Sequence, residues 1–432
     1  METPKTTAAK STETARKVRQ LIKKLYTRAH AAKEKGQPVA YCMVSSHYNE
    51  ILLTMGIVPI WTENYAALCA AKRQAEPLLV KAESEGYSSV ICGYARTGIG
   101  FDAWRKELGE IPPDAPDGGM AEPDLLLGSS ATCDPRFKWY QALGRYKDTP
   151  IYNFDVVVPP VDAELTAVRD YYVRYQTEQL RGLVAFLERV LGRKLDYEQL
   201  WETIDIAERT NQLWFDTQEL RKAVPCPMPT EDHFNTFAPG RFLLGEKEAL
   251  DFYQELYDEL KYRVEHKIGV VPQERYRLLW GGGLPPWHNM KLLNFFEDLG
   301  AVFVIETTYR PWDPVEIPAG ISDPLEHIAW RAFLTQTYRH ERARRGCGHP
   351  HVQLLLDLVE DYQVVGVVMH GTVSCRAQTI GQLYFGNVVQ EYLSVPSMSL
   401  ESDIIDARNY SEAQTRMQIE AFIQKVDAHR RG

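Results

Sequence analysis

Short apolar runs and amphipathic stretches alternate along most of the chain, and the change of period between them marks out its elements. A polar start of about a dozen residues is expected to be disordered. Val18, Leu21, Ile22 and Leu25 then recur at helical spacing and predict an amphipathic helix that ends near Gly36. PVAYCMV, GIVPIW, SSVICGY, DLLLGSS and PIYNFDVVV follow as short runs fit for buried strands, separated by helical stretches, with Gly56 and Gly86 where helices would stop. From Val161 to Lys267 the period is helical, in AELTAVRDYYVRYQTEQLRGLVAFLERVLG, DYEQLWETIDIAERTNQLWFDTQELRKA and EKEALDFYQELYDELKYRVEHK. PCPMPTEDHFNTFAPG is expected to break it, because prolines at that density stop helices. YRLLWGGG, AVFVIET, VVGVVMHG and VPSMSLESD then resume the strand pattern before a closing helix, SEAQTRMQIEAFIQKVDAHRR.

The expected organisation is an N-terminal tail and helix (1–36), a first α/β domain (37–160), a helical region (161–267) and a second α/β domain (268–432). The halves are similarly built parallel-sheet units with no residue-level repeat between them. A chain of 432 residues with 44% hydrophobic and 25% charged content is long enough for two domains and large cores.

A net charge of -9 argues against a polyanion-binding surface, and no stretch interleaves Lys or Arg with stacking aromatics, so nucleic acid is not an expected partner. The N-terminus lacks the apolar core of a signal peptide, and no apolar run approaches the ~20 residues needed to cross a bilayer. A cytoplasmic chain with no membrane partner is expected. Its seven cysteines are too scattered for a disulfide framework, so any that matter should act as thiolates.

In open parallel α/β sheets, ligand sites form beyond the carboxyl ends of the strands. Cys92 in VICGYARTGIG, Cys133 in LLLGSSATCDPRFKWY and Cys375 in VVMHGTVSCRAQTIGQL each follow a predicted strand and precede a predicted helix. Such a fold brings all three to one rim, and a metal cluster is the first hypothesis for them. Three thiolates leave a coordination position open, whereas four would close a structural site. An inert core thiol is the competing reading for each, and Cys42 within a strand and Cys69 on a helix face fit that reading. Cys226 and Cys347 lie in loops, and spacing alone does not exclude them as ligands.

His47, His288 and His370 fall at the same predicted rim, where a proton donor would be placed, although a satisfied, partly buried imidazole explains each as well. His30, His266, His327, His340 and His429 are expected at the surface. WGGGLPPW reads as a tight turn between strand and helix. It matches neither the dinucleotide fingerprint nor the P-loop, so any ATP hydrolysis should belong to another chain.

CGYARTGIG, TCDPRFKWYQAL, SCRAQTIGQLYF and the closing ARNYSEAQTRMQIEAFIQ resemble, in order and context, the family of benzoyl-CoA reductase catalytic subunits and 2-hydroxyacyl-CoA dehydratase subunits. The resemblance runs from about Tyr41 to Gln424 and is weakest in the helical middle. It implies two flavodoxin-like α/β domains with associated helices. Cys92, Cys133 and Cys375 would be ligands of a [4Fe-4S] cluster whose fourth iron lacks a cysteine and faces an acyl-CoA. The implied partners are a homologous cluster-bearing subunit and ATP-hydrolysing activator subunits with a bridging iron–sulfur cluster.

FKWYQAL, the contexts of CGYARTGIG and SCRAQTIGQL, and the Pro-Pro-Trp turn look most like the larger cluster-bearing subunit of ATP-dependent benzoyl-CoA reductase. That enzyme reduces an aromatic acyl-CoA to a cyclic dienoyl-CoA. A dehydratase subunit is the alternative within the family, and a non-catalytic electron-relay subunit is the alternative outside catalysis. His47, Ser46 and His288 are the candidates for proton supply or for hydrogen bonding near the open iron.

Overall fold

The computed structural model describes residues 7–431. Two four-stranded parallel sheets organise it. The strands in chain order are β1 (Thr7–Ala8), β2 (Val39–Cys42), β3 (Val58–Trp61), β4 (Leu125–Ser129), β5 (Ile151–Phe154), β6 (Ile268–Gly269), β7 (Tyr276–Gly281), β8 (Ala301–Glu306), β9 (Gly366–Thr372) and β10 (Ser397–Ser402). The first sheet has the order β3-β2-β4-β5 and the second, read from its other edge, β8-β7-β9-β10. Each therefore begins second-first-third-fourth, the start of the flavodoxin-like order, with its switch point between the first and third strands. β1 and β6 form a separate two-residue parallel pair.

Central strands of such sheets are covered on both faces and read as continuous apolar runs. LLLGS of β4 and GVVMHGT of β9 are buried at every position. Between the sheets come the helices Leu165–Leu191, Tyr197–Leu220, Thr230–Phe242 and Lys247–Glu265. The largest core runs from Val18 to Ile405, because Leu325, Ile328, Ala329 and Phe333 of the helix Pro324–Thr337 join first-half residues in it. No helix among the described residues is long and apolar enough to cross a membrane.

Three expectations need correction. SSVICGY is not a strand: residues 88–92 are a turn segment after the helix Ala75–Ser84, Gly93 and Tyr94 open the helix Gly93–Leu108, and Val90 is 73% exposed. Its apolar run is too short to fill a strand, and no place in the sheet order remains for it. The proline-rich stretch is helical from Thr230 to Phe242, with Pro239 inside; Pro225, Pro227 and Pro229 all precede that helix, where a missing N–H breaks no helical bond. Of the start expected to be disordered, residues 1–6 lie outside the described residues. Residues 7–12 are tied down by the β1–β6 pair, by Lys10 ion pairs to Glu231 and Glu297, and by Thr12, whose N–H and Oγ1 both donate to Asp232.

Candidate functional site

Cys92, Cys133 and Cys375 are each the N-cap of a helix, opening Gly93–Leu108, Asp134–Leu143 and Arg376–Thr379. Cys133 and Cys375 follow β4 and β9, the corresponding third strands of the two sheets, so one fold rule places both at the switch-point ends. Cys92 arrives from the turn segment instead. The amides of Tyr94 and Ala95 face the Cys92 sulfur, that of Arg136 faces Cys133, and those of Ala377 and Gln378 face Cys375, each favouring the thiolate without meeting full hydrogen-bond geometry. Burial opposes them and wins in the metal-free chain: it pushes Cys133 up to about 11 and raises Cys92 and Cys375, with the neighbouring thiols adding to the rise at Cys92 and Cys133.

All three sulfurs line one cavity of about 440 Å³, walled by Ile91, Ile99 and Trp139. The loops that carry them are stitched together. Gly93 N–H donates to Ser374 Oγ at 3.1 Å, Ser374 N–H donates to Asp403 Oδ2 at 3.0 Å, and Arg376 pairs with Asp134 at 3.0 Å. No histidine or fourth cysteine lines this cavity, and no group of His, Cys, Asp and Glu among the described residues converges tightly enough for a single metal ion. Three thiols spread around a cavity, each at the positive end of a helix, fit a polynuclear anionic iron–sulfur group with one iron left without a thiolate. Cys42, Cys69 and Cys226 are buried elsewhere, and Cys347 is turned toward its own loop, 3.4 Å from His349 O.

A second cavity of about 580 Å³ is lined by Ala131 and Thr132, which immediately precede Cys133 in the chain. Ser45, His47 and Thr132 all face it with left-handed backbones, at φ 58°, 59° and 76°. Such backbones are uncommon away from glycine, most of all at β-branched Thr132. His47 lies against Gln336, whose amide is 3.3 Å from Nε2. Burial, reinforced by the Arg331, Arg241 and Arg136 cations, pulls its pKa down to about 3, so its ring is neutral at physiological pH.

Ser46 is fully buried behind this wall, donating to Met43 O at 3.1 Å and accepting from Arg136 Nη2 at 3.2 Å. His288 lines neither cavity; its Nε2 is 3.0 Å from Asp403 O, behind the Ser374 loop. The structure thus brings the three cysteines together, places His47 in the second cavity, and sets Ser46 and His288 behind the two loops. His370 is a satisfied core imidazole, with Leu284 O and Ser402 Oγ each 2.7 Å from a ring nitrogen.

Sequence reasoning missed several residues here. Arg136 ties the Cys133 loop to the loop before His47, donating to Ala131 O at 2.6 Å, to Thr132 Oγ1 at 3.1 Å and to Val44 O. Glu63 accepts from Val44 N–H at 2.8 Å, pairs with Arg136 at 3.4 Å, and its charge is felt at Cys133, Cys375 and Tyr309. It stands just past the carboxyl end of β3, so the strand-end rule could have found it. His340, expected at the surface, is 5% exposed and lines the second cavity with His349 and His351.

The family model for the D-component of 2-hydroxyglutaryl-CoA dehydratase matches residues 45–426. The chain is similar to the alpha subunit of lactoyl-CoA dehydratase from Anaerotignum propionicum, 26% identical over 413 residues covering 93% of each chain. It is 28% identical over 394 residues to the (R)-phenyllactyl-CoA dehydratase alpha subunit of Clostridium sporogenes, covering 90% of this chain and 89% of the other. With a benzoyl-CoA reductase subunit of Thauera aromatica the figure is 25% over 431 residues, covering 96% and 95%.

Proposed function

Because the chain belongs to the 2-hydroxyglutaryl-CoA dehydratase D-component family, we propose that it is an iron–sulfur subunit acting on an acyl-CoA, and more specifically the cluster-bearing catalytic subunit of an ATP-dependent benzoyl-CoA reductase. The observation that carries this reading is the Cys133 loop between two cavities: three thiols at helix N-termini line one, and Ala131 and Thr132, just before Cys133, line the larger one. Cys92, Cys133 and Cys375 would hold a [4Fe-4S] cluster, which when bound supplies single electrons at low potential, tuned by burial and by hydrogen bonds to sulfur.

The rest is the work of this chain's own residues. Trp312, Val156, Val158 and Leu354 give the larger cavity apolar walls suited to an aryl group and able to exclude bulk water. With the Gln336 amide donating to Nε2, the His47 ring proton sits on Nδ1 and offers a neutral hydrogen bond to a ligand. Ser46 holds Arg136, and His288 braces Asp403 and through it the Cys375 loop. Partner subunits are expected from the subunit names of the relatives. ATP hydrolysis is assigned to a separate activator carrying a bridging iron–sulfur cluster.

The second reading is a 2-hydroxyacyl-CoA dehydratase subunit, favoured by the lactoyl- and phenyllactyl-CoA relatives at identities above that of the reductase. Anaerobic assay with partner subunit, activator and ATP separates them. Cyclic dienoyl-CoA formed from benzoyl-CoA is the expected product; loss of water from a 2-hydroxyacyl-CoA without ring reduction overturns the reductase assignment. Cys133→Ser is expected to lower iron and sulfide content and abolish turnover, and iron loss with unchanged turnover would overturn the catalytic assignment and leave the chain a scaffold.

A further inference from the structure

The larger cavity holds an arginine without a counterion. Arg339 on its wall is neutralised bidentately by Asp313 at 2.5 and 2.8 Å, and Arg331, which does not line it, pairs with Glu50 and Glu208. Arg241, in the last turn of the helix Thr230–Phe242, also lines the cavity, yet among the described residues no carboxylate pairs with it. Its Nη2 donates to Arg310 O, its guanidinium lies 5.0 Å from the Trp214 ring centroid, and its Nε is buried without a partner. These contacts fix the group, and no carboxylate among the described residues neutralises its charge. Burial draws its pKa down to about 10, which still leaves it cationic at neutral pH.

A fixed cation in a low-dielectric cavity recognises a negative or strongly polarised oxygen. An acyl-CoA offers three: the thioester carbonyl, the CoA phosphates and, in a dicarboxylic acyl group, a distal carboxylate. Position favours the carbonyl. Arg241 and Arg136 both act electrostatically on His47, and Arg136 is bonded to Ala131 O and Thr132 Oγ1 of the Cys133 loop. Arg241 lines the larger cavity together with His47 and with Ala131 and Thr132 of the Cys133 loop. His340, His349 and His351 form a separate group in which His351 is exposed to solvent.

We propose that Arg241 receives the thioester carbonyl oxygen of the acyl-CoA and stabilises the negative charge that one-electron reduction places there. This rests on the acyl-CoA reading above. In that step one electron from a low-potential iron–sulfur donor enters the thioester π system. No bond forms or breaks and no proton moves; the guanidinium keeps its protons and strengthens its hydrogen bond as the charge develops.

Calorimetric titration of the full chain with benzoyl-CoA, free CoA and glutaryl-CoA tests this, using wild type, Arg241→Gln and Arg241→Lys. Arg241→Gln should weaken benzoyl-CoA binding on the order of tenfold or more, weaken glutaryl-CoA to a similar degree, and leave free CoA unchanged. Arg241→Lys should fall between, and it keeps the test readable if the glutamine variant does not fold. Equal losses for benzoyl-CoA and free CoA would assign Arg241 to a phosphate. A loss confined to glutaryl-CoA would assign it to a carboxylate, and no loss would end the proposal. In the assembled complex, Arg241→Ala should lower kcat more than it changes KM, with partial rescue by added guanidinium, which a packing role alone does not give. Failure of the wild type to bind any acyl-CoA would instead overturn the function proposed above.

Discussion

The proton on His370 is fixed by its two partners. Nδ1–H donates to Leu284 O and Ser402 Oγ–H donates to Nε2, so the fully buried ring is neutral, and burial draws its pKa down to about 4. An unfolded chain protonates this imidazole near 6.5. Folding stability is therefore fully supported above pH 6.5 and falls as the pH drops toward 4, by up to ~1.4 kcal/mol per unit from this residue. Urea unfolding at pH 7.5, 6 and 5 should show that slope, and His370→Gln should flatten it; an unchanged slope would refute the assignment. His370 also shows where residue-level reading stops. Its position at a strand end was legible, but whether such a histidine faces a ligand or a carbonyl depends on Leu284 and Ser402, which the chain brings in from far away. His47, on the same kind of reading, does face a cavity.

Among the elements, the helix Gly93–Leu108 explains a motif that was recognisable without its reason. A Cβ on Gly98 would lie 2.1 Å from the Trp139 ring, and one on Gly100 would lie 1.9 Å from the Leu78 carbonyl oxygen. The glycines of CGYARTGIG thus let this helix meet the backbone of Ala75–Ser84 at Gly100 and the Trp139 ring of Asp134–Leu143 at Gly98, which seats Cys92 beside Cys133. Gly100→Ala meets rigid backbone and should cost about 1–3 kcal/mol or more, measured by urea denaturation; a neutral result would mean that the helices move apart freely. Strand positions in both sheets followed from apolar runs, because doubly covered strands are continuous in sequence. The same rule misread SSVICGY, whose Val90 is in solvent, and proline counting misread Thr230–Phe242, where only Pro239 falls within the helix.

At the scale of the whole molecule, the sheet order was legible as a class, whereas the larger cavity was not. Its wall takes Ser45 from one half, Arg241 from the helical region and Trp312 and His349 from the other, a convergence that no local pattern encodes. The buried Glu50–Arg331 ion pair joins the helix Asn49–Thr54 to Pro324–Thr337 across the same region, with Glu50 1% and Arg331 4% exposed on their side chains. Arg331→Met should destabilise the protein by about 3–5 kcal/mol, because it strands a buried carboxylate. Chemical denaturation checks this, and a loss below about 1 kcal/mol would show that water reaches Glu50.

The spread of the three thiols along the chain also sets the order of biosynthesis. Domains fold as they leave the ribosome, N-terminal first. Cys92 and Cys133 would take up their places while Cys375 is still untranslated, and Ser374, the acceptor for Gly93 N–H, would be missing with it. The three-thiol site is then complete only late in synthesis. A translation product cut short before β9 would carry Cys92 and Cys133 without Cys375, the third thiol of the cavity.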